Sequence, residues 1–447
     1  MVKLLVFFNI LFLGIWSVFS TEKSGNTKPY GDMPMCSTIS NDGVNQWTNH
    51  LTSPISQYAK TTPSVFEIDE DKAYSMPLLS QMPNGNILLS WTEKDEKGMT
   101  AFCFSTSNDK GKTFSDKKVI FTGMGIGNSR LFRAKVLAKK DGSLVAVFSN
   151  RPDAPLAQPQ AQGGQGASPR GQGGGRGGRT SELVYTVSKD GGVTWTTPQS
   201  VDTDPTKSMR GFFDAVVLPN DEIAVAYLKD VKGSTKHEER DLRMVITKNG
   251  VFQAEKLLDA VVCDCCNINL FVDAKGVLHV IYRDNNDDIR DMAKMTSSDN
   301  GATFSKSEIV HNDGWKIAGC PHNGAISSSN AKTTLIAWYS GAESESGIRL
   351  VNQEGKKLFV LNDPSVRNPA LMASPQVSAM LWEQDSDKTQ LVFRKIKDNK
   401  VSENTAIEGS DNAANATGLV IDNQLLIAHE VKKENKKNSL RIATTAL

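Results

Sequence analysis

One unit recurs along this chain of 447 residues, in five clear copies and two weaker ones: an apolar strand, a turn that in all but one copy contains Asn, Asp or Gly, and a second apolar strand. β-Branched and aromatic residues that flank such turns are typical of β-hairpins. The copies occupy residues 76–91, 133–148, 213–227, 268–282, 324–339, 369–382 and 417–430. No convincing amphipathic helix interrupts them. This repetition predicts an all-β fold, a β-propeller with four-stranded blades, and the hairpin count favours seven blades.

The first 20 residues, MVKLLVFFNILFLGIWSVFS, have the layout of a secretory signal peptide: one lysine, an apolar run and small residues at Ser17 and Ser20. The apolar run is short for a bilayer span. We therefore expect export to the periplasm or the extracellular space, with no membrane attachment after cleavage. Residues 21–69 are polar and weakly patterned, which predicts a linker or an irregular strap. Residues 70–447 are expected to form a single propeller domain.

Residues 152–181 form a segment rich in Pro, Gln, Gly and Arg between the second hairpin and the next strand. Their low apolar content predicts a disordered loop insertion. The alternative is an arginine- and glycine-rich tether for nucleic acid, but export favours the solvated loop. The whole chain has 51 Lys and Arg residues against 50 Asp and Glu. This balance excludes steering by net charge toward nucleic acid or an anionic membrane.

Three octapeptides share one pattern: SNDKGKTF (107–114), SKDGGVTW (188–195) and SSDNGATF (297–304). Each follows one predicted strand and precedes another, in the outer half of a blade. The glycine takes a backbone conformation that a Cβ would forbid, and the threonine bonds back across the loop. The shared aspartate is expected to accept hydrogen bonds from backbone N–H groups in the turn. These structural aspartates are Asp109, Asp190 and Asp299.

These octapeptides match the S-x-D-x-G-x-T-[WF] Asp-box, so residues 70–447 resemble the Asp-box (BNR-repeat) sialidase-like β-propellers. Within that superfamily the chain is most similar to exported bacterial proteins commonly described as exo-α-sialidases. The motifs that carry this likeness are CDCC (263–266), YRD (282–284), IRD (289–291), DGW (313–315) and GCP (319–321). The resemblance implies a glycan or other acidic small-molecule partner at the mouth of the central channel, and six blades are the sialidase norm. We expect a monomer.

A sialidase holds the sialate carboxylate with three arginines and uses an aspartate acid/base and a Tyr–Glu pair for cleavage. The family's F/Y-R-I-P opening falls on YSMP (74–77), where Ser75 replaces the arginine. Candidates for the catalytic carboxylates are Asp95 or Glu93, after the first hairpin, and Asp284, at the end of a second strand. The implied function is a sialidase-like glycoside hydrolase with an incompletely matched active site. The alternatives are a non-catalytic propeller that binds a glycan or a protein, and a metal-binding propeller.

Three arginines lie at or near predicted inner-strand starts: Arg133, Arg210 and Arg367. The innermost strands of a propeller start at the same face, so these guanidinium groups suit a carboxylate or sulfate ligand. The equal alternative is that each pairs with a nearby acid, such as Asp214 or Asp363.

CDCC and CPHN (320–323) occupy matching places before the inner strands of neighbouring blades, so Cys265 or Cys266 is expected to face Cys320. Export and the even number of cysteines favour disulfides. The disulfide candidates are Cys263, Cys265, Cys266 and Cys320. The alternative to this cofactor-free arrangement is a copper or zinc site. Its ligands would be Cys265, Cys266, Cys320 and His322.

Overall fold

The structure is a computed structural model that describes residues 55, 57–151, 182–202, 210–231, 240–435 and 437–447. The predicted signal peptide and the predicted insertion at 152–181 lie outside the described residues. Within the described part, the secondary structure consists of β-strands and turns, which confirms the all-β prediction. No helix there is both long and apolar enough to cross a membrane.

Strands β1–β15 are two to nine residues long. Their bounds are β1 (Gln57–Ala59), β2 (Thr61–Pro63), β3 (Ala73–Gln81), β4 (Ile87–Lys94), β5 (Thr100–Ser107), β6 (Lys118–Gly123), β7 (Lys135–Ala138), β8 (Leu144–Asn150), β9 (Glu182–Ser188), β10 (Gln199–Ser200), β11 (Arg210–Val217), β12 (Ile223–Asp230), β13 (Arg240–Lys248), β14 (Val251–Phe252) and β15 (Lys256–Val262).

The strands of the remaining chain have similar lengths. Their bounds are β16 (Asn269–Val272), β17 (Leu278–Arg283), β18 (Met292–Ser297), β19 (Glu308–Ile309), β20 (Ile326–Ser329), β21 (Thr334–Ser340), β22 (Gly347–Asn352), β23 (Lys357–Leu361), β24 (Val366–Ala373), β25 (Ser378–Gln384), β26 (Gln390–Lys397), β27 (Lys400–Val401), β28 (Thr405–Ile407), β29 (Ala413–Ile421), β30 (Gln424–Val431) and β31 (Ser439–Ala446).

Seven sheets form the seven blades of a β-propeller. In chain order, β3–β6 form blade 1, β7–β10 blade 2, β11–β15 blade 3, β16–β19 blade 4, β20–β23 blade 5, β24–β28 blade 6 and β29–β31 blade 7. The seven predicted hairpins are the two inner strands of these blades. The structure thus confirms the seven blades that the hairpin count favours.

Seven hydrophobic cores lie between the blades, and each is shared by two neighbours. Val147 of blade 2 and Val225 of blade 3 belong to one core, for example. Trp91 of blade 1 and Leu426 of blade 7 belong to another, so the last blade packs on the first. The second strand of a blade is therefore covered on both faces, and β4 is buried from Ile87 to Glu93. This explains why apolar residues occupy both faces at its start, Ile87–Leu89.

The N-terminal segment completes the last two blades. β2 pairs antiparallel with β31, with Thr61 opposite Thr445. β1 pairs parallel with β28, with Gln57 opposite Thr405. The strap predicted over residues 21–69 thus contains two short strands, and β2 is the outer strand of blade 7. Because strands from both ends of the chain share one sheet, the ring is closed by backbone hydrogen bonds.

The Asp-boxes have the predicted hydrogen bonds between the third and fourth strands of blades 1, 2 and 4. Ser188 Oγ donates to Asp190 Oδ1 at 2.8 Å, and Thr194 N donates to the same oxygen at 2.9 Å. The same bonds surround Asp109 and Asp299. Hydrogen bonds from the Thr113 hydroxyl and amide lower the pKa of Asp109 to about 2. The carboxylate therefore stays ionised and closes its turn across the neutral range.

Each Asp-box glycine also packs against the preceding blade. Gly192 has a φ of +85°, and a Cβ on it would lie 2.3 Å from Phe104 Cζ of blade 1. The equivalent contacts join Gly111 to Leu426 and Gly301 to Ile246. Glycine is thus required both by the backbone conformation and by the close approach of the neighbouring blade.

Candidate ligand-binding site

Four inner strands carry a β-bulge near their start. The register shifts fall in β3, β11, β24 and β29. A residue with positive φ lies in each bulge: Met76 (53°), Phe212 (47°), Asn368 (52°) and Asn415 (53°). A bulge adds one unpaired residue and bends its strand. Side chains before the bulge therefore face directions that an uninterrupted strand would not give them.

Two buried carboxylates bind three of these bulges together, those of β3, β24 and β29. Glu430 accepts hydrogen bonds from Met76 N and Asn415 Nδ2, both at 2.8 Å. Glu383 accepts them from Asn415 N at 2.6 Å and from Asn368 Nδ2 at 2.8 Å. Burial raises the pKa of Glu383. We call these five residues the carboxylate relay, which links the inner strands of blades 6, 7 and 1.

A cavity of about 280 Å³ lies where the inner strands begin, and we call it the channel cavity. All seven blades, or the segments that lead into them, contribute to its wall. One residue from each, in blade order, is Leu78, Arg133, Asp214, Asn269, Ser327, Ala370 and Thr417. The structure therefore confirms that residues remote in sequence meet at the channel mouth. The volume is close to the lower limit of about 300 Å³ for small-molecule pockets.

Arg133 lies on the wall of the channel cavity. Its Nη1 donates to Pro77 O at 3.0 Å and its Nη2 to Asn415 O at 3.3 Å. Burial and the positive charge of Arg130 lower the pKa of Arg133 to about 10, so the group is protonated at neutral pH. Among the described residues, no carboxylate oxygen lies within 4.0 Å of this guanidinium. The side chain thus brings a positive charge that neutral carbonyl groups hold in place.

Lys135 and Asp214 form an ion pair on the same wall. Asp214 also accepts hydrogen bonds from Leu270 N and Ala215 N, both at 2.8 Å. It is the one carboxylate among the described residues that line the channel cavity. Because a lysine and two amides already bind it, Asp214 serves to join blades 2, 3 and 4.

Side-chain amides provide further polar groups of the wall. Asn267, Asn269, Asn323 and Asn368 line it. Asn323 Oδ1 accepts a hydrogen bond from Arg283 Nη2 at 2.6 Å, which fixes the orientation of the amide. Neither these asparagines nor Arg130 and Lys135 are among the predicted site residues. The segment SRLFRAK (129–135) indicates them, because it places two arginines just before the inner strand β7 and a lysine at its first residue.

The predicted acid/base residues lie away from the channel cavity. Glu93 is 5% exposed and pairs with Lys117, with 2.7 Å between Nζ and Oε1. Asp95 Oδ1 accepts a hydrogen bond from Met99 N at 2.9 Å, which closes the turn between β4 and β5. Neither residue is among the described residues that line the channel cavity.

Asp284 follows β17 and belongs to the next turn. Its Oδ1 accepts a hydrogen bond from Asn285 N at 2.8 Å, and its Oδ2 accepts one from Asn286 Nδ2 at 2.7 Å. Burial raises the pKa of Asp284. The cavity wall, as far as the structure describes it, does not include this carboxyl group.

The other two predicted arginines, Arg367 and Arg210, are not among the described residues that line the channel cavity. Arg367 Nε pairs with Asp385 Oδ2 at 2.5 Å, and Arg367 is not among the described lining residues. The ion-pair alternative thus holds for Arg367, with Asp385 in place of Asp363. Arg210 begins β11, but its side chain lies outside the described residues.

The two cysteine motifs meet as predicted. The Sγ atoms of Cys265 and Cys320 and a ring nitrogen of His322 lie within 4.8 Å of one another. Cys263 Sγ lies 3.9 Å from Cys265 Sγ and 2.6 Å from Cys266 Sγ. The structure contains these four cysteines, which we call the thiol cluster, as free thiols. His322 also lines the channel cavity, so the thiol cluster adjoins it.

A larger cavity of about 870 Å³ lies at the outer side of blades 2 and 3, and we call it the rim cavity. Tyr185, Trp195 and Phe252 line it. Trp195 Nε1 is buried and has no hydrogen-bond partner among the described residues. Since only two blades contribute, the rim cavity does not depend on the convergence of the inner strands.

Comparison with known proteins identifies a family. Residues 168–406, more than half of the chain, match the family described as a BNR repeat-like domain. No protein with a curated description matches the sequence.

Several solved structures are similar in fold. A Dyadobacter fermentans protein of unknown function is 12% identical, with 87% of this chain and 99% of that one covered and a TM-score of 0.49. A polysaccharide lyase of family PL25, an ulvan lyase, is 13% identical over 83% and 93% of the two chains, with a TM-score of 0.49. The K499G mutant of the NanB sialidase from Streptococcus pneumoniae is 12% identical over 86% and 70% of the two chains, with a TM-score of 0.45.

Proposed function

The chain belongs to the BNR repeat-like family, and on that premise we propose that it binds an acidic saccharide in the channel cavity. The observation that carries the proposal is the Arg133 guanidinium, a half-buried cation on the cavity wall whose hydrogen-bond partners among the described residues are carbonyl oxygens. Arg130 adds a second positive charge nearby. A carboxylate or sulfate group on a ligand would neutralise this charge and accept directed hydrogen bonds from Arg133.

The amides of the wall support a saccharide as the rest of the ligand. An asparagine amide both donates and accepts hydrogen bonds, as a sugar hydroxyl does. Apolar side chains such as Leu78 and Leu371 cover other parts of the wall. The small volume suits one acidic sugar residue better than a long oligosaccharide.

We propose binding and not hydrolysis because of where the carboxylates lie. Glycoside hydrolysis uses two carboxyl groups on either side of the scissile bond. Glu93 is paired with Lys117, Asp95 closes a turn, and Asp284 belongs to a loop. Asp214 is the carboxylate on the described wall, and Lys135 neutralises it.

Calorimetric titration of matched sugars tests the proposal. The acidic ligands are 3′-sialyllactose and galactose 6-sulfate, and their neutral partners are lactose and galactose. We expect at least one acidic sugar to bind more tightly than its partner, and added salt to weaken binding. Arg133→Gln should remove a charge-assisted interaction of about 1.5–3 kcal/mol, which raises Kd about 10- to 100-fold.

Arg441→Gln is the matched control, because Arg441 is exposed on β31 and donates to Gly409 O. It should leave Kd unchanged. The proposal is overturned if neither acidic sugar binds more tightly than its neutral partner, or if both variants behave alike. Release of lactose from 3′-sialyllactose would replace binding with hydrolysis.

A further inference from the structure

We propose that the thiol cluster and His322 bind a thiophilic d10 metal ion, Zn²⁺ or Cu⁺. This proposal is independent of saccharide binding. It rests on the arrangement of five side chains from two segments that precede neighbouring inner strands. Thiolate and imidazole are the ligands that both ions prefer in proteins.

The cluster contains two overlapping sets of three ligands. Cys263, Cys265 and Cys266 form one set, and Cys265, Cys320 and His322 form the other. Two thiolates on one ion with a metal–sulfur bond of about 2.3 Å are about 3.8–4.0 Å apart. The 3.9 Å between the sulfurs of Cys263 and Cys265 fits that value, while the 2.6 Å to Cys266 has to widen. Cys265 belongs to both sets, so its loss disrupts either arrangement.

A buried cation beside the cluster points independently to negative charge on the sulfurs. Arg290 is 4% exposed and adjoins Cys263 and Cys266. Its Nε and Nη1 have no hydrogen-bond partner among the described residues. The nearest carboxylate oxygens are 3.6 Å from Nη2 (Asp288) and 4.0 Å from Nη1 (Asp264). Unpaired buried N–H groups are costly beside neutral thiols, whereas metal-bound thiolates accept such hydrogen bonds.

Other contacts hold the CDCC turn rigidly. Cys263 N donates to Arg283 O at 3.1 Å. Arg240 Nη1 donates to Asp264 O at 2.6 Å. Arg283 lies over the Trp315 ring at 4.9 Å and is 1% exposed. The backbone of the turn is therefore held in place before any ion binds, which lowers the entropic cost of coordination, and a side-chain adjustment at Cys266 completes the geometry.

The two sides of the cluster differ in access. Cys263, Cys265 and Cys266 are buried, whereas Cys320 and His322 are exposed. His322 Nδ1 lies 3.0 Å from Cys320 O, so Nε2 is the nitrogen left for a metal. An ion can enter from the side of the channel cavity, and the imidazole completes the site there.

Metal loading of the full chain tests the proposal. The reduced protein is loaded anaerobically with Zn²⁺ or, in a separate arm, with Cu⁺, and bound metal is measured after gel filtration. We expect a stoichiometric ion in at least one arm, release of protons on binding, and protection of the cluster from alkylation. The arm that retains metal identifies the ion.

Variants assign the ligands. Cys265→Ser should abolish stoichiometric binding, while Cys103→Ala should not affect it. Cys103 is a matched control because it is buried in blade 1, where burial raises the pKa of its thiol to about 12. Arg290→Met should weaken metal affinity about 10- to 100-fold, as outer-shell changes do. Circular dichroism of each variant separates loss of the site from loss of the fold.

The proposal is overturned if neither ion is retained by the folded, reduced protein. It is also overturned if peptide mapping finds a disulfide within the thiol cluster of the protein as secreted. Equal metal retention by Cys265→Ser and by the unsubstituted protein would exclude the cluster as the site.

Discussion

Glu430 offers the sharpest prediction about how the ring is held together. Its carboxylate is 3% exposed and accepts three hydrogen bonds. The donors are Met76 N at 2.8 Å, Asn415 Nδ2 at 2.8 Å and Asn438 Nδ2 at 2.9 Å. Glu430→Ala leaves all three donors without this acceptor, and each unmade buried bond costs about 1–3 kcal/mol. Partial filling by water reduces the sum, so we expect a loss of about 3–6 kcal/mol in the free energy of unfolding.

The assay is equilibrium unfolding in urea together with thermal unfolding. For a chain of this length, 1 kcal/mol corresponds to about 1 °C in Tm, so Glu430→Ala should lower Tm by about 3–6 °C. Glu430→Gln keeps one acceptor oxygen, so its Tm should lie between those of Glu430→Ala and the unsubstituted protein. Glu408→Ala, which removes an exposed carboxylate in a turn of blade 6, is the control and should change little.

A double-mutant cycle tests the relay as a unit. Glu383 and Glu430 both bind Asn415, so Glu383→Gln and Glu430→Gln should be non-additive by about 0.5–3 kcal/mol. The reasoning is refuted if Glu430→Ala has the same Tm as the control Glu408→Ala. It is also refuted if the losses in unfolding free energy of Glu383→Gln and Glu430→Gln simply add in the double variant.

Two further predictions concern stability. Burial lowers the pKa of His429 to about 4, below its usual 6.5, so the unfolded chain takes up the proton first as pH falls. Stability should therefore decrease between about pH 6.5 and 4, by at most about 1.4 kcal/mol per pH unit. In urea titrations, His429→Gln should make the unfolding free energy depend less on pH. The same pH dependence in His429→Gln and in the unsubstituted protein would contradict this prediction. Gly192→Ala should destabilise by about 2–5 kcal/mol through strain and the clash with Phe104. Gly191→Ala, with nothing within 4 Å of its Cβ, should cost only the strain, and equal losses in Tm would exclude the clash.

Much of the fold follows from the sequence because a hairpin is a local structure. Alternating apolar residues and turn residues predict β16 and β17, for example, with no knowledge of distant contacts. The Asp-boxes are equally local, because Asp190 binds groups within four residues of itself. Closure by β2 is different: Thr61–Pro63 has only three residues, and its pairing with β31 depends on the far end of the chain.

The site is harder to predict because its contacts join segments that are far apart in the sequence. Arg133 is predicted because it begins a recognisable hairpin, and the ring brings it to the wall of the channel cavity. Glu93 lies outside the described wall of the channel cavity, and its partner Lys117 comes from a turn 24 residues further along the chain, so their pairing is not visible in the local pattern. The orphan N–H groups of Arg290 emerge only when burial and contacts are known.

The central claim is that the closed ring creates one anion-binding cavity at the channel mouth. A crystal structure of the complex with the acidic sugar that binds in the titrations tests it most directly. We predict that the carboxylate or sulfate of the sugar lies in the channel cavity, within hydrogen-bond distance of the Arg133 guanidinium. Density for the sugar in the rim cavity instead, with the Arg133 guanidinium not in contact with it, would contradict the account.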